Sequence, residues 1–119
     1  MRTRGWPVLI SIAAGILAFP ARSDPKSEGF KKLTGAQIRQ AFSGHTFSDD
    51  VHFAFRYIAG GAIEGSGMGK KVARKWWLVH DELCITDSFG ENCYAIWKKG
   101  SAVKFTFGDD LVFVEGKLK

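Results

Sequence analysis

Large apolar residues alternate with smaller or polar residues in several short runs of the chain after residue 44. Phe53, Phe55 and Tyr57 show the pattern most clearly, and residues 103–107 repeat it. Alternation with a period of two predicts β-strands with one buried face, because successive side chains of a strand lie on opposite faces of the sheet. Most of the chain after residue 44 is therefore expected to form a sheet.

Clusters of Gly, Asn and Asp divide these runs into short segments. Strands are predicted at residues 52–57, 62–68, 72–79, 83–86, 92–97, 103–107 and from 111 to 114 or beyond. Strands joined in sequence order by tight turns form an antiparallel meander, and rolling a twisted meander into a barrel or half-barrel removes its unpaired edges. Gly65, Gly67 and Gly69 lie within or beside the second strand and predict bulges or a strong bend there.

One short helix is predicted before the sheet, at residues 35–43. Thr34 and Gln37 have the spacing of a capping box, and Gly44 is a suitable helix terminator. A helix of two to three turns is not stable alone, so it must pack across one end or one face of the sheet. The expected fold class is mainly β with a minor α component, a small barrel or half-barrel with one N-terminal helix.

The first 23 residues have the three parts of a secretory signal peptide. Arg2 and Arg4 precede an apolar run at 8–19, and Ala21-Arg22-Ser23 provides small residues for cleavage after Ser23. The run is shorter than the roughly 20 residues that a membrane-spanning helix needs. A buried N-terminal helix is the alternative, but the prolines and glycine of this segment disfavour it. We expect residues 1–23 to be a signal peptide, 24–32 a flexible leader and 33–119 a single β-rich domain.

Removal of the signal peptide changes the charge of the chain. The sequence has 17 basic and 12 acidic residues, a formal net charge of +5. Without Arg2, Arg4 and Arg22 the net charge is +2, and the remaining lysines are scattered. Nucleic-acid binding requires a concentrated basic face. We therefore expect no nucleic-acid partner, and no stable membrane anchor after cleavage.

Cys84 and Cys93 are the two cysteines of the chain, and both lie in the predicted mature domain. If Thr86 lies opposite Glu91 across a four-residue loop, an antiparallel register places Cys84 opposite Cys93. Disulfides persist in the oxidising compartments that a signal peptide implies. The alternatives are a redox-active pair or two metal ligands, but neither a Cys-x-x-Cys helix start nor a set of further ligands is present. A structural disulfide is predicted.

The chain resembles a family of small exported proteins from rhizobia and related α-proteobacteria, which carry a domain of unknown function. The resemblance covers roughly residues 33–118 and implies a periplasmic or secreted protein, without implying an activity. The similar segments are Leu33-Thr-Gly-Ala-Gln-Ile-Arg39, Phe42-Ser-Gly44, Gly69 and Trp77 ahead of Asp81-Glu-Leu-Cys84, and Cys93-Tyr-Ala-Ile-Trp97.

No catalytic, metal or cofactor motif is recognisable in the sequence. His45, His52 and His80 lie in separate elements without metal-ligand spacing, so no metal site and no cofactor are predicted. The pairs at 49–50 and 109–110 are carboxylates in expected turns. The glycine-rich segment 65–71 resembles a phosphate-binding loop only superficially, because the Lys-Ser/Thr pair and the following helix are missing.

The segment Arg74-Lys-Trp-Trp77 is the one candidate binding feature. Trp76 and Trp77 must face opposite sides of a strand. Trp77 is the expected core residue, because it shares a face with Ala73 and Val79, which leaves Trp76 exposed beside Arg74. A Trp beside a cation commonly contacts partners. The alternative is that both faces of the strand are covered.

The candidate binding surface therefore consists of Arg56, Arg74, Trp76 and Trp97. The leading hypothesis is a non-enzymatic binding or interaction module of the periplasm or secreted fraction, which uses this surface or the barrel mouth to contact a protein or an envelope ligand. The alternative is an inhibitor or protective factor against a host or envelope hydrolase, which presents the disulfide-linked loop 88–91. A hydrolase is the third hypothesis, with no catalytic residues assigned.

Overall fold

The computed structural model describes residues 24–87 and 90–119. The predicted signal peptide and residues 88–89 lie outside the described residues. The described part contains one α-helix, α1 (Gly35–Phe42), and nine strands. The strands are β1 (Lys31–Lys32), β2 (His45–Ser48), β3 (Phe53–Tyr57), β4 (Ala62–Gly67), β5 (Lys70–Val79), β6 (Glu82–Asp87), β7 (Gly90–Lys99), β8 (Ala102–Phe107) and β9 (Leu111–Leu118).

Strands β2 to β9 form a closed antiparallel barrel of eight strands. Each strand pairs with the next in sequence, and β9 returns to β2 through the pairs Phe47–Leu118 and Ser48–Lys117. The mainly β fold predicted from the alternating pattern is confirmed, and the barrel is complete rather than half-formed. Among the strand pairs of the described residues, the register shifts in the β8–β9 pair, between Phe105 and Thr106.

Helix α1 closes one end of the barrel. Thr34 and Gln37 form the predicted capping box: Gln37 N donates to Thr34 Oγ1 over 3.2 Å, and Thr34 N donates to Gln37 Oε1 over 2.9 Å. Ile38 and Phe42 are fully buried, and the Phe42 ring meets that of Tyr57 edge-on at 4.8 Å between centroids. The short helix is stable because its apolar stripe completes the barrel core.

The glycines of β4 do not produce the predicted bulges. Strand β4 pairs with β3 and β5 without a register shift. Gly65 lies opposite Phe55, where a β-carbon would stand 2.0 Å from the carbonyl oxygen of Ala54. A β-carbon on Gly67 would stand 3.2 Å from the Phe55 ring. Gly65 is required because the backbone of β3 approaches it too closely for a β-carbon, and Gly67 leaves room for the Phe55 ring.

Residues 24–32, expected to be a flexible leader, are folded against the barrel. Lys26–Glu28 form a single 3₁₀ turn, and β1 pairs with β7 just beyond the part of β7 that β6 covers. The Phe30 ring lies 4.8 Å from Lys104 Nζ, and Lys104 also forms a salt bridge with Glu28. The segment is ordered by contacts with strands distant in sequence, which its own polar composition does not reveal.

The predicted disulfide is present between Cys84 and Cys93. The two residues are direct partners in the β6–β7 hairpin, and Thr86 lies opposite Glu91 as the spacing predicts. The hairpin extends one pair further than expected, to Asp87 and Gly90.

Removal of the disulfide should lower the free energy of unfolding by roughly 2.5–3 kcal/mol, because the closed ring restricts the unfolded chain. Urea denaturation of a Cys84→Ala/Cys93→Ala variant, compared with the oxidised wild type, measures this loss. Dithiothreitol should destabilise the wild type by a similar amount and leave the double variant unchanged. An equal effect of the reductant on both proteins would contradict the assignment.

Candidate functional site

The end of the barrel opposite α1 opens into an apolar pocket of about 170 Å³. Its wall consists of six aromatic, three aliphatic and two charged side chains. They are Phe47, Phe53, Phe55, Tyr57, Phe105 and Phe113; Ile63, Ile85 and Val114; and Arg74 and Asp87. The pocket is thus a continuation of the barrel core, with the charged groups restricted to two positions.

The strand registers place these side chains on the interior face. Ile63 of β4 pairs with Tyr57 on one side and with Arg74 on the other, so these three residues lie side by side. Above them, Phe55 and Phe53 lie opposite Gly65 and Gly67. Because glycine has no side chain, the Phe55 ring can lie beside Gly67 on the interior face, and Phe53 and Phe55 both line the pocket.

Arg74 is the positively charged group of the pocket wall. Its side chain is half-buried, and the guanidinium carbon lies 5.2 Å from the centre of the Phe55 ring. Within the described residues, the guanidinium forms no hydrogen bond and no salt bridge with another side chain. Arginine carries five N–H donors in a planar fork. Its hydrogen-bonding capacity is therefore available to a molecule in the pocket.

Tyr57 adds a buried hydroxyl to the same wall. The residue is 2% exposed, and its hydroxyl has no hydrogen-bond partner among the described residues. Burial raises the pKa of Tyr57 well above its ordinary value, although the nearby charge of Arg74 partly opposes the increase. The phenol is therefore neutral near pH 7 and can donate a hydrogen bond. A buried polar group without a partner is costly, which makes this position unusual.

Asp87 lies at the end of β6 and contributes the negative charge of the wall. The Tyr94 hydroxyl donates to Asp87 Oδ2 over 3.1 Å. Burial is the main cause that raises the pKa of Tyr94 above its ordinary range, and this hydrogen bond raises it further. The Tyr94 ring stacks on Phe113 at 4.9 Å between centroids. This contact connects the carboxylate to the aromatic wall of the neighbouring β8–β9 hairpin.

Exposed apolar residues surround the mouth of the pocket. Val51 in the β2–β3 turn is 78% exposed and Met68 in the β4–β5 turn is 76% exposed, while Leu111 follows the β8–β9 turn and is 61% exposed. Phe107 and Phe113 also remain partly exposed beside this turn. These turns all lie at the open end, because the strands run alternately up and down.

The β2–β3 turn at the mouth is stabilised by Asp49. Its Oδ1 accepts hydrogen bonds from the backbone N–H groups of Val51, His52 and Phe53 at 2.6 to 3.0 Å. His52 Nδ1 lies 2.8 Å from the other carboxylate oxygen. Burial acts to raise the pKa of Asp49, but these hydrogen bonds outweigh it and hold the pKa well below its ordinary value.

The four residues of the predicted binding surface do not form one surface. Arg74 lines the pocket, whereas Arg56 lies on the outer face of β3 opposite Glu64. Trp76 is 4% exposed and lies inside the barrel, below the pocket. Its indole Nε1 donates to the carbonyl oxygen of Ile58 over 3.0 Å.

The expected orientation of the two adjacent tryptophans was wrong. Trp76 pairs with Ile85 and belongs to the interior, whereas Trp77 pairs with Cys84 on the outer face and is only partly buried. Both faces of β5 carry apolar residues, so the sequence of this strand alone does not distinguish them. The pairing of Leu78 with Leu83 in the neighbouring hairpin determines the orientation.

Trp97 is also unavailable as a binding residue. It lies on the outer face of β7, yet it is 6% exposed because the N-terminal segment covers it. Lys32 Nζ lies 6.0 Å from its ring centre, and Trp97 Nε1 donates to Thr106 Oγ1 over 2.9 Å. The indole therefore holds residues 24–32 against the barrel.

The other candidate features of the sequence, which are the possible metal ligands, the glycine-rich segment and the disulfide-linked loop, do not line the pocket. Across residues 24–87 and 90–119, no three His, Cys, Asp or Glu side chains are grouped closely enough to hold a metal ion. The glycine-rich segment 65–71 forms part of the β4–β5 hairpin. The loop proposed to inhibit a hydrolase has its tip at residues 88–89, outside the described residues.

Sequence reasoning missed Asp87, Phe113 and the interior position of Arg74. The alternating pattern did identify Phe53, Phe55 and Tyr57 as inward-facing residues. Counting pairs from the two-residue turn at Met68 and Gly69 places Arg74 opposite Ile63, so the hairpin register was the available signal for that residue.

Comparison with protein-family models, curated proteins and solved structures finds no match to this chain. The structure itself defines the class, a small closed antiparallel β-barrel with an internal apolar pocket, a helical plug and one disulfide.

Adjacent tryptophan substitutions test which indole belongs to the core. Trp76→Ala should lower the free energy of unfolding by about 3–5 kcal/mol, because it leaves a cavity in the barrel. Trp77→Ala should cost about 1–2 kcal/mol, because this side chain is partly exposed. Chemical denaturation measures both. If an Ala variant does not fold, Trp76→Phe and Trp77→Phe are compared instead, and Trp76→Phe should be the more destabilising of the two. A larger loss of stability at Trp77 than at Trp76 would contradict the assignment.

The lowered pKa of Asp49 predicts a contribution to stability that depends on pH. The folded-state pKa of Asp49 is below its ordinary value of 3.8. The stability that the ionised carboxylate contributes is therefore fully present above pH 3.8, and it is lost as the pH falls towards the folded-state pKa. Asp49→Asn should therefore lose the most stability, relative to wild type, near neutral pH, and the difference should shrink below about pH 4. Denaturation between pH 2 and 7, with Asp110→Asn as the exposed-turn control, checks this.

Proposed function

We propose that this domain is a non-enzymatic binding module that holds a small ligand in the mouth of its barrel, in the periplasm or outside the cell. The main observation behind the proposal is a pocket that is open at one end only. Helix α1 closes one end of the barrel, and the other end opens into an aromatic cavity. Concave apolar sites with a few placed polar groups are typical of small-molecule binding.

The pocket is built on a rigid frame. Its walls belong to paired strands, the β6–β7 hairpin beneath Asp87 is closed by the disulfide, and Asp49 fixes a turn at the rim. A site that is ordered before binding avoids the entropic cost of ordering it when the ligand arrives. This rigidity supports a binding role for the pocket.

The chemistry of the wall supports binding rather than catalysis. Arg74 and Tyr57 are hydrogen-bond donors near pH 7, and Tyr57 cannot act as a base because burial keeps its phenol protonated. Asp87 accepts a hydrogen bond from Tyr94. Recognition of a polar group requires only these donors and this acceptor, whereas acid–base catalysis requires a group whose pKa is near the working pH.

The proposed location depends on the disulfide and on the signal-like first 23 residues. A stable structural disulfide is typical of exported proteins. In the described part of the chain, no helix is long and apolar enough to cross a membrane.

Filling the pocket should abolish binding without unfolding the barrel. Val114→Phe adds a ring at the pocket wall and should lower the free energy of unfolding by about 1–3 kcal/mol. Purified wild-type and variant protein are equilibrated with a small-molecule extract of the producing cells, and the retained compounds are identified by mass spectrometry. The wild type should retain compounds that Val114→Phe does not.

Val112→Phe is the matched control for this experiment. Val112 is on the same strand but pairs with Thr106, whose hydroxyl bonds to Trp97 on the outer face. This variant should retain the same compounds as wild type. Identical retention by all three proteins, or no retention by wild type, would contradict binding in the pocket.

A further inference from the structure

We propose that the preferred ligand of the pocket is a small aromatic monocarboxylate, whose carboxylate lies between Arg74 and Tyr57 and whose ring lies among the phenylalanines. This inference rests on the proposed binding function and specifies its ligand. Size, wall composition and the placement of unused donors each restrict the ligand independently.

The volume of the pocket limits the ligand to about one ring. At about 170 Å³ it resembles an engineered apolar cavity of about 150 Å³ that binds benzene. A long acyl chain or a fused-ring molecule exceeds this space. The apolar part of the ligand is therefore the size of a phenyl group.

The wall favours an aromatic ring over a saturated one. Phe53 and Phe55 stack at 5.3 Å between centroids, with 13° between their planes, and Phe47 lies 5.4 Å from Phe53. Aromatic rings attract one another in offset and edge-to-face geometries beyond the effect of area burial alone. A phenyl ring in this cavity can adopt both geometries.

Two donors that have no hydrogen-bond partner in the described part of the chain define the polar end of the ligand. Arg74 and Tyr57 are the pairing partners of Ile63 on the two neighbouring strands, and both line the pocket. Neither the guanidinium nor the hydroxyl has a hydrogen-bond acceptor among the described residues. Donors in an apolar site require an acceptor. The guanidinium fork matches the two oxygens of a carboxylate, and a charge-assisted hydrogen bond is roughly twice as strong as a neutral one.

Asp87 limits the charge of that acceptor. Its carboxylate belongs to the same wall, so a second negative charge on the ligand would be repelled in a site of low dielectric. A monocarboxylate is therefore favoured over a phosphate dianion or a dicarboxylate.

The test measures binding of matched probes by isothermal titration calorimetry, with purified protein whose disulfide is intact. Phenylacetate has both the ring and the carboxylate, 2-phenylethanol lacks the carboxylate, and cyclohexylacetate lacks the aromatic ring. Wild type should bind phenylacetate about tenfold or more tightly than 2-phenylethanol, and more tightly than cyclohexylacetate.

Three substitutions assign the recognition to the two donors. Arg74→Gln should weaken phenylacetate binding about 10- to 100-fold and change 2-phenylethanol binding much less, while Arg74→Lys keeps the charge and should lose less. Tyr57→Phe should weaken phenylacetate binding severalfold without loss of stability, because the hydroxyl it removes has no hydrogen-bond partner in residues 24–87 and 90–119. Arg56→Gln, on the outer face, should bind as wild type does.

Equal phenylacetate affinity in wild type and Arg74→Gln would overturn the proposed recognition. Equal affinity for 2-phenylethanol or for cyclohexylacetate would overturn the carboxylate or the aromatic part of the ligand class. If wild type does not bind phenylacetate but retains other compounds that Val114→Phe loses, the ligand class is wrong and the binding function stands. If wild type retains no compound that Val114→Phe loses, both the ligand class and the binding function are wrong.

Discussion

The short seam between β2 and β9 is the constraint on which the rest of the barrel depends. Besides the pairs Phe47–Leu118 and Ser48–Lys117, Thr46 and Lys119 exchange two backbone hydrogen bonds, of 3.1 and 2.9 Å. Closure converts a meander with two free edges into a barrel with a defined interior. Without it, β2 and β9 would present unpaired edges and the aromatic core would be open to water.

The seam also explains where the interior remains accessible. Since β2 pairs only with the last residues of β9, the first part of β9 extends beyond the seam towards the mouth. Phe113 and Val114 lie in this part and line the pocket. At the other end, Phe42 of α1 contacts Tyr57 and Phe105 and fills the interior. One end of the barrel is therefore packed and the other is concave.

The pocket has an energetic cost that the packed end does not have. The apolar side chains that line the cavity of about 170 Å³ lose the dispersion contacts that a filled core provides. Tyr57 adds a buried hydroxyl without a partner among the described residues. The cavity and the buried hydroxyl belong to the same site, where a bound molecule would compensate for both.

Local signals in the sequence predicted most of the fold. The alternation of Phe53, Phe55 and Tyr57, the capping box at Thr34 and the spacing of the two cysteines each depend on neighbouring residues, and the structure confirms all three. Closure of the barrel and the docking of residues 24–32 depend on contacts between distant segments. No local pattern specifies those contacts.

The orientation of β5 connects the main error in the sequence interpretation with the candidate site. Even-numbered residues of β5 include Arg74, Trp76 and Leu78, while odd-numbered ones include Trp77 and Val79, so both faces are apolar enough to be buried. A shift of one residue exchanges the two faces of a strand. The register that buries Trp76 against Tyr57, at 5.6 Å between ring centroids, also places Arg74 on the pocket wall. Correcting the position of the tryptophan therefore moves the candidate binding site from the surface of the barrel to its interior.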